Sequence, residues 1–179
     1  MDRKQSENKL RAKIKKIKLV LTDNDGVLTD TGVYYSANGE ELKKFSIRDG
    51  MGVERLLLIS NIKTGIITGE LSGSVKKRAE KLNIDDLYLG VKDKVNVLNE
   101  ILSKHNIKEE NIAYIGDDVN DTGIIKKVGL SACPADAMPE IKKIVDYICK
   151  HKGGNGAFRD FAELIIKYNR ECKKSCVNG

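Results

Sequence analysis

Two carboxylates one residue apart, Asp23 and Asp25, come just after the apolar run Ile17 to Leu21 in the segment IKLVLTDNDGVLTD, residues 17–30. In extended backbone, residues two apart point the same way, so the pair can share one site. One member can attack an electrophile while binding a hard cation. The other can then carry the proton of the leaving group. An idle surface turn uses the same residue types, since Asp, Asn and Gly are common turn formers. Residues farther along the chain decide between the two.

The element that must hold the pair is a strand, because a short apolar run bounded by turn residues reads as a buried one. The pattern predicts strands over 17–22, 63–68, 86–89 and 112–116, and helices over about 50–60, 72–82, 93–105 and 120–127. Strands alternating with helices imply a parallel sheet covered on both faces and wound by right-handed crossovers. Such α/β sheets bind ligands beyond the carboxyl ends of their strands, where Asp23, Thr68 and Asp117 all fall.

The run at 17–30 resembles the first motif of the haloacid dehalogenase superfamily of phosphatases, and three further matches occur in that family's order. Ile66, Ile67, Thr68 and Gly69 match the second motif, Lys94 in GVKDK the third, and Gly116, Asp117 and Asp118 with Asn120 and Asp121 the fourth. The resemblance implies a Rossmann-like parallel sheet of the haloacid dehalogenase type. It implies that Asp23 is the nucleophile and a magnesium ligand, and that Asp25 is the acid and base, lending its main-chain carbonyl to Mg2+. Asp117 would complete the metal site, since hard cations take oxygen ligands. Thr68, by hydroxyl and backbone N–H, and Lys94, by charge, would neutralise the transferred phosphoryl group. Asp118 would support Lys94 or the metal, and Asp121 would cap the helix after it.

Residues 32–47, GVYYSANGEELKKFSI, break the alternation with a hairpin signal around Asn38 and Gly39. Only about forty residues separate the first two motifs. The hairpin and one helix consume them, so no cap domain is expected. Its unpaired edges and the tyrosines at 34 and 35 are a liability unless paired. Capless relatives with this hairpin resemble the 3-deoxy-D-manno-octulosonate 8-phosphate phosphatase family, and the likeness extends through FSIRDGMG, GGNGAFRD and nearly all of Ile17 to Tyr168. That resemblance implies a homotetramer in which a neighbouring subunit completes the site. The implied reaction removes the terminal phosphate of a 2-keto-3-deoxy sugar acid, in the making of cell-surface sugars.

Substrate choice divides the sequence. Arg48-Asp49-Gly50 agrees with the eight-carbon phosphatases, but the second motif reads ITGE where they usually read ITGR. Glu70, with Lys81 eleven residues on, resembles the phosphatases of 2-keto-3-deoxy-nonulosonate 9-phosphate, a sialic acid-like substrate. Gly69, Glu70 and Lys81 are therefore candidate substrate residues, together with Arg48 and Arg159, whose guanidinium groups suit carboxylate or phosphate. Gly153, Gly154 and Gly156 either bring the backbone close to a site or end a helix.

The whole chain, 179 residues with 40% hydrophobic content, suits one domain with a core. Its net charge of +6 invites a nucleic-acid reading until it is located. Residues 1–18 hold eight Lys or Arg against Asp2 and Glu7, residues 170–179 hold three against Glu171, and the body between is net −2. Basic ends on a near-neutral body make a poor polyanion footprint, so no nucleic-acid partner is expected. The reading is a basic N-terminal extension over 1–16, solvated and partly frayed, a phosphatase domain over 17–168, and a tail over 169–179. No run approaches ~20 apolar residues and no signal peptide is evident, so no membrane partner and a cytoplasmic location are expected. Cys133, Cys149, Cys172 and Cys176 lack paired spacing, and neither zinc nor disulfides are expected. Other classes keep the motifs differently. A noncatalytic module associated with a sugar nucleotidyltransferase would usually lose an acidic group that is present here. A phosphotransferase would bring a cap, and a phosphatase of larger esters would use an open site.

Overall fold

The computed structural model describes residues 3–177. Helix α1 (Arg3–Ile14) leads into β1 (Leu19–Thr22), and the hairpin β2 (Tyr34–Ser36) and β3 (Gly39–Leu42) comes after it. Next are α2 (Ile47–Arg55), running on as a π-helical turn to Ser60, then β4 (Lys63–Ile67), α3 (Gly73–Lys81), β5 (Asp86–Tyr88) and α4 (Lys94–His105). The chain ends with β6 (Ile112–Ile115), α5 (Thr122–Ile125), β7 (Leu130–Cys133), α6 (Pro139–Lys142), β8 (Tyr147–Ile148) and α7 (Ala157–Val177).

Six strands form one all-parallel sheet in the order β5-β4-β1-β6-β7-β8. The expected Rossmann-like α/β class is thus observed, with the hairpin alone inserted between β1 and α2 and no cap domain among the described residues. Side chains of β1 alternate between two cores: Val20 meets Val53, Val75 and Phe161 on the face of α1, α2, α3 and α7. Leu19 and Leu21 meet Leu98, Ile101 and Ile124 on the face of α4, α5 and α6. Both faces of the sheet are covered, which is why its strands read as continuous apolar runs. Among the described residues no helix is long and apolar enough to cross a membrane.

The chain order turns back at β1, whose neighbours are β4 on one side and β6 on the other. Thr22 pairs with Ile66 of β4 and with Ile115 of β6, so the three strands end within one residue of each other. Asp23, Thr68 and Asp117 leave the sheet at that shared edge.

Three expectations need correction. Residues 3–14 are a helix rather than a frayed arm, because Leu10, Ile14 and Ile17 recur at helical spacing and pack into the core, with Ile14 fully buried. Lys16 reaches Glu110 at 2.8 Å, and Glu7 accepts from the Tyr168 hydroxyl at 3.0 Å, so part of the basic charge is tied to the body. At the other end the tail placed over 169–179 is no separate unit, since α7 continues unbroken to Val177. The hairpin turn itself is Ala37-Asn38, with Gly39 opening β3 at φ 106°, a conformation that favours glycine.

The sequence pattern assigns no element to β7, α6, β8 or the long helix α7. β7 carries Ser131 and Cys133 among its buried positions, and β8 is two residues long, so neither presents a strong strand pattern. Cys133 and Cys149 are buried free thiols; Cys172 and Cys176 lie outside the described side chains.

Candidate active site

At the carboxyl edge of the sheet a cavity of about 220 Å³ is lined by Asp23, Asp25, Thr31, Thr68, Gly69, Glu70, Asp117, Asp118 and Asn120. A larger apolar groove of about 380 Å³ lies elsewhere, beside Leu57, Leu82 and Ile84, and contains none of the candidate catalytic groups.

Asp23 is held by β1, its backbone N–H donating to Ile115 at 3.0 Å and its Oδ1 accepting from the Asn24 N–H at 2.7 Å. Lys94 reaches its other oxygen. Asp93 caps α4 by accepting from Val95 and Asn96, which makes Lys94 the first helical residue and buries its side chain under the sheet edge. Its Nζ lies 2.8 Å from Asp23 Oδ2 and 2.6 Å from Asp121 Oδ1. Burial disfavours the ammonium, but the Asp23 and Asp121 carboxylates outweigh it and hold its pKa above the ordinary lysine value.

Asp121 is the site residue that sequence reasoning assigned wrongly. It makes no side-chain cap on α5. Fully buried, its Oδ1 accepts from Lys94 and from the Tyr114 hydroxyl at 2.6 Å, and its Oδ2 from the Asp117 N–H at 2.9 Å. Asp118, expected to support Lys94 or the metal, is exposed at the cavity and accepts from the Val119 N–H at 2.6 Å, while Lys94 pairs with Asp121. The spacing of the two acids misled: the short 3-10 turn Val119–Asp121 swings the later residue inward. The signal for it was Tyr114, a phenol in an apolar strand that needs a buried partner.

One oxygen each from Asp23, Asp117 and Asp121 lies within 4.8 Å of the others. Burial and then the Asp121 charge raise Asp23 to about 7, against the pull of Lys94. Burial followed by the charges of Asp23, Asp121 and Asp118 raises Asp117 to about 7 as well. Three hard oxygen donors crowded at this cost fit a divalent cation, which would relieve their repulsion. With Asp121 occupied by Lys94, Tyr114 and the N–H groups of Asp117 and Asp118, Asp23 and Asp117 are the carboxylates free to hold it. The side chain of Asp25 is not in this group, because Lys43 holds its Oδ1 at 2.6 Å.

Thr68 is buried at the end of β4, and its hydroxyl accepts from the Glu70 N–H at 3.2 Å. Its own N–H donates to Tyr88 at 3.0 Å, so the backbone contact expected from Thr68 is taken up by the sheet. The Gly69 N–H has no partner among the described residues and stands in its place at the cavity.

The remaining candidates are scattered. Glu70 is exposed at the cavity rim, while Lys81 ends α3, about 12 Å along the helix axis from Gly73. Arg48 and Arg159 line a separate cavity of about 190 Å³ with His151, and Arg159 Nε is bound to Glu163 at 2.7 Å. Asp49 is a structural neighbour of theirs. It accepts from the N–H groups of Gly156 and Arg159 at 3.0 and 2.9 Å, capping α7 from α2. The glycine segment does approach the site: the Gly154 N–H donates to Val27 at 2.9 Å, and a Cβ on Gly153 would meet the Gly26 carbonyl oxygen at 1.9 Å.

A family model described as haloacid dehalogenase-like hydrolase matches residues 74–159. The chain is 43% identical over 155 residues to the 3-deoxy-D-manno-octulosonate 8-phosphate phosphatase of Escherichia coli K12, covering 87% of this chain and 82% of that one. Among solved structures, the phosphatase of that name from Moraxella catarrhalis, in complex with magnesium, phosphate and the KDO molecule, superposes with a TM-score of 0.88 at 34% identity. The alignment covers 96% of this chain and 98% of that one. The cobalt-bound enzyme from Haemophilus influenzae gives 0.84 at 36% identity, covering 88% and 91%.

Proposed function

Because the chain belongs to the haloacid dehalogenase-like hydrolases, in the family of the 3-deoxy-D-manno-octulosonate 8-phosphate phosphatases, and is a phosphoric monoester hydrolase, we propose that its substrate is an eight-carbon 2-keto-3-deoxy sugar acid bearing a terminal phosphate. The reaction class rests on Asp23, fixed by Lys94 between the ends of β1 and β6 with Asp117 beside it. The substrate rests on the 43% identity that spans the site and the hairpin.

In this reading Asp23 Oδ attacks phosphorus in line with the sugar oxygen, whose bond breaks as Asp25 gives it a proton. The products of that step are the free sugar acid and an aspartyl-phosphate on Asp23. Asp25, now ionised, takes a proton from water as the water oxygen attacks phosphorus, and Asp23 is released with inorganic phosphate. Mg2+, held by Asp23, Asp117 and the Asp25 carbonyl, would neutralise charge on the transferred group. Lys94, the Thr68 hydroxyl and the Gly69 N–H supply further donors around it.

Arg48, Arg159 and Lys81 do not converge on Asp23 within one protomer. We assign their part in substrate recognition to a homotetramer, in which a neighbouring subunit brings such groups over an uncapped site. The exposure of Tyr34, Tyr35 and Leu42 on a two-stranded ribbon supports that assembly, since an uncovered edge invites pairing. Neither a membrane nor a nucleic acid has a part in this reading, and the enzyme is assigned to the cytoplasm.

Glu70 at the cavity rim favours a second reading, the nine-carbon 2-keto-3-deoxy-nonulosonate 9-phosphate. Values of kcat/KM for both esters, with wild type and Glu70→Arg, separate them. The first reading expects at least a tenfold preference for the eight-carbon ester, about 1.4 kcal/mol, retained in the variant. A preference for the nine-carbon ester that Glu70→Arg abolishes would establish the second.

A further inference from the structure

Lys43 is a second buried lysine at the active-site end of the molecule, and the proposed reaction gives it no task. It is the first residue after β3, and its side chain is wholly buried. The Nζ lies 2.6 Å from Asp25 Oδ1 and 3.4 Å from Glu40 Oε2. Glu40 is in turn bonded to the hydroxyl of Ser72, which caps α3.

Asp25 Oδ1 accepts from two further groups, the Asn24 side-chain amide at 3.1 Å and the Thr29 hydroxyl at 3.3 Å. Its other oxygen, Oδ2, is buried and has no partner. The carboxylate of this cavity-lining residue is therefore held through one oxygen, while the other is enclosed by protein. A buried ammonium costs desolvation, and ion pairs in such places are poor stabilisers beside apolar packing. A lysine kept there nonetheless, and aimed at the functional acid, calls for a purpose in the chemistry.

We infer that Lys43 is a positioning residue for proton transfer: by binding Oδ1 it fixes the orientation in which the Asp25 carboxylate meets the leaving group. The clamp belongs to the hairpin, because Lys43 and Glu40 both lie on or just beyond β3. Displacing the hairpin would thus loosen Asp25 without touching Asp23. The inference rests on the acid and base role given to Asp25, and the test separates the two.

The experiment measures kcat/KM at saturating Mg2+ for phosphate monoesters whose leaving groups run from 4-nitrophenol to simple alkyl alcohols. A nitrophenolate departs without a proton, whereas an alkoxide needs one. In Lys43→Met the alkyl esters should lose about 100-fold and 4-nitrophenyl phosphate less than 10-fold, within the range of general acid catalysis. Lys43→Arg, which keeps the charge, should restore most of the alkyl rate. Equal losses across the series, or none, would overturn the inference. Asp25→Asn is run alongside. If it shows no dependence on the leaving group, the role of Asp25 itself fails; if it does and Lys43→Met does not, only the clamp fails. Circular dichroism and melting confirm folding, and Lys43→Gln, with the same expected pattern, replaces a Met variant that does not fold.

Discussion

The Tyr114 hydroxyl donates to Asp121 Oδ1 at 2.6 Å, on the oxygen that also holds Lys94. The phenol lies fully buried, so the Lys94 ammonium beside Asp23 is supported from beneath by a chain of groups that solvent does not reach. The same hydroxyl accepts from Lys94 Nζ at 3.3 Å. Tyr114→Phe removes both contacts and should lower kcat at least about tenfold, ~1.4 kcal/mol. KM should change little. Asp121→Asn should cost more, because Lys94 then loses one of its two anionic partners. Steady-state kinetics of both variants check the order.

Asp23→Asn should fold and bind Mg2+ weakly, with activity reduced at least about 10³-fold, ~4 kcal/mol. The amide cannot form the covalent intermediate. Substantial turnover of any phosphate ester by this variant, measured by phosphate release, would sink the assignment.

Asp23 and Asp117 both carry carboxyl groups raised to about 7, far above their ordinary values. A carboxyl raised on folding stabilises the protein where it stays protonated, and that contribution is lost as pH rises through its folded pKa. Metal-free protein should therefore melt at a lower temperature at about pH 8 than at about pH 5.5. Saturating Mg2+ should reverse the trend, since binding requires both groups ionised. Thermal melts with and without the chelator EDTA read the difference directly. A metal-free melting temperature that rises between these pH values, with no response to Mg2+, would contradict the raised carboxyl pair.

Light scattering should find a tetramer, and Tyr34→Asp with Tyr35→Asp should shift it toward monomer. The monomer should keep activity on 4-nitrophenyl phosphate within about tenfold while losing most kcat/KM for the sugar-acid ester. A wild-type monomer at working concentration would refute the assembly.

Gly154 has φ 60°, and a Cβ there would meet the Asp30 backbone nitrogen at 2.2 Å. Gly154→Ala should destabilise the fold by about 1–3 kcal/mol and disturb the loop that carries Asp25. Denaturant unfolding measures the first effect.

Which parts of this architecture could be read in advance depends on where the information lies. Asp23, Thr68, Lys94 and Asp117 were legible because each ends or begins a strongly patterned element, and the adjacent ends of β1, β4 and β6 bring them together. Lys43 was invisible in a stretch with Lys44 beside it: one is buried against Asp25 and the other exposed, and alternation along an unassigned segment could not say which. Asp121 was misplaced by one short turn. The RDG segment was recognised by resemblance, but its aspartate turned out to hold the start of α7, a contact between residues 107 and 110 positions apart. Distance in sequence, not weakness of chemistry, hid these roles.

The close fit of Gly153 and Gly154 against the loop from Gly26 to Asp30 also sets an order of events during synthesis. The ribosome makes the loop after Asp23 early and its buttress more than 120 residues later, so the emerging chain carries Asp23 and Asp25 on an unsupported turn. A chain halted before residue 153 also lacks α7, whose Phe158, Phe161 and Ile165 fill the core on one face of the sheet, so every motif residue is made before the fold that holds it can close.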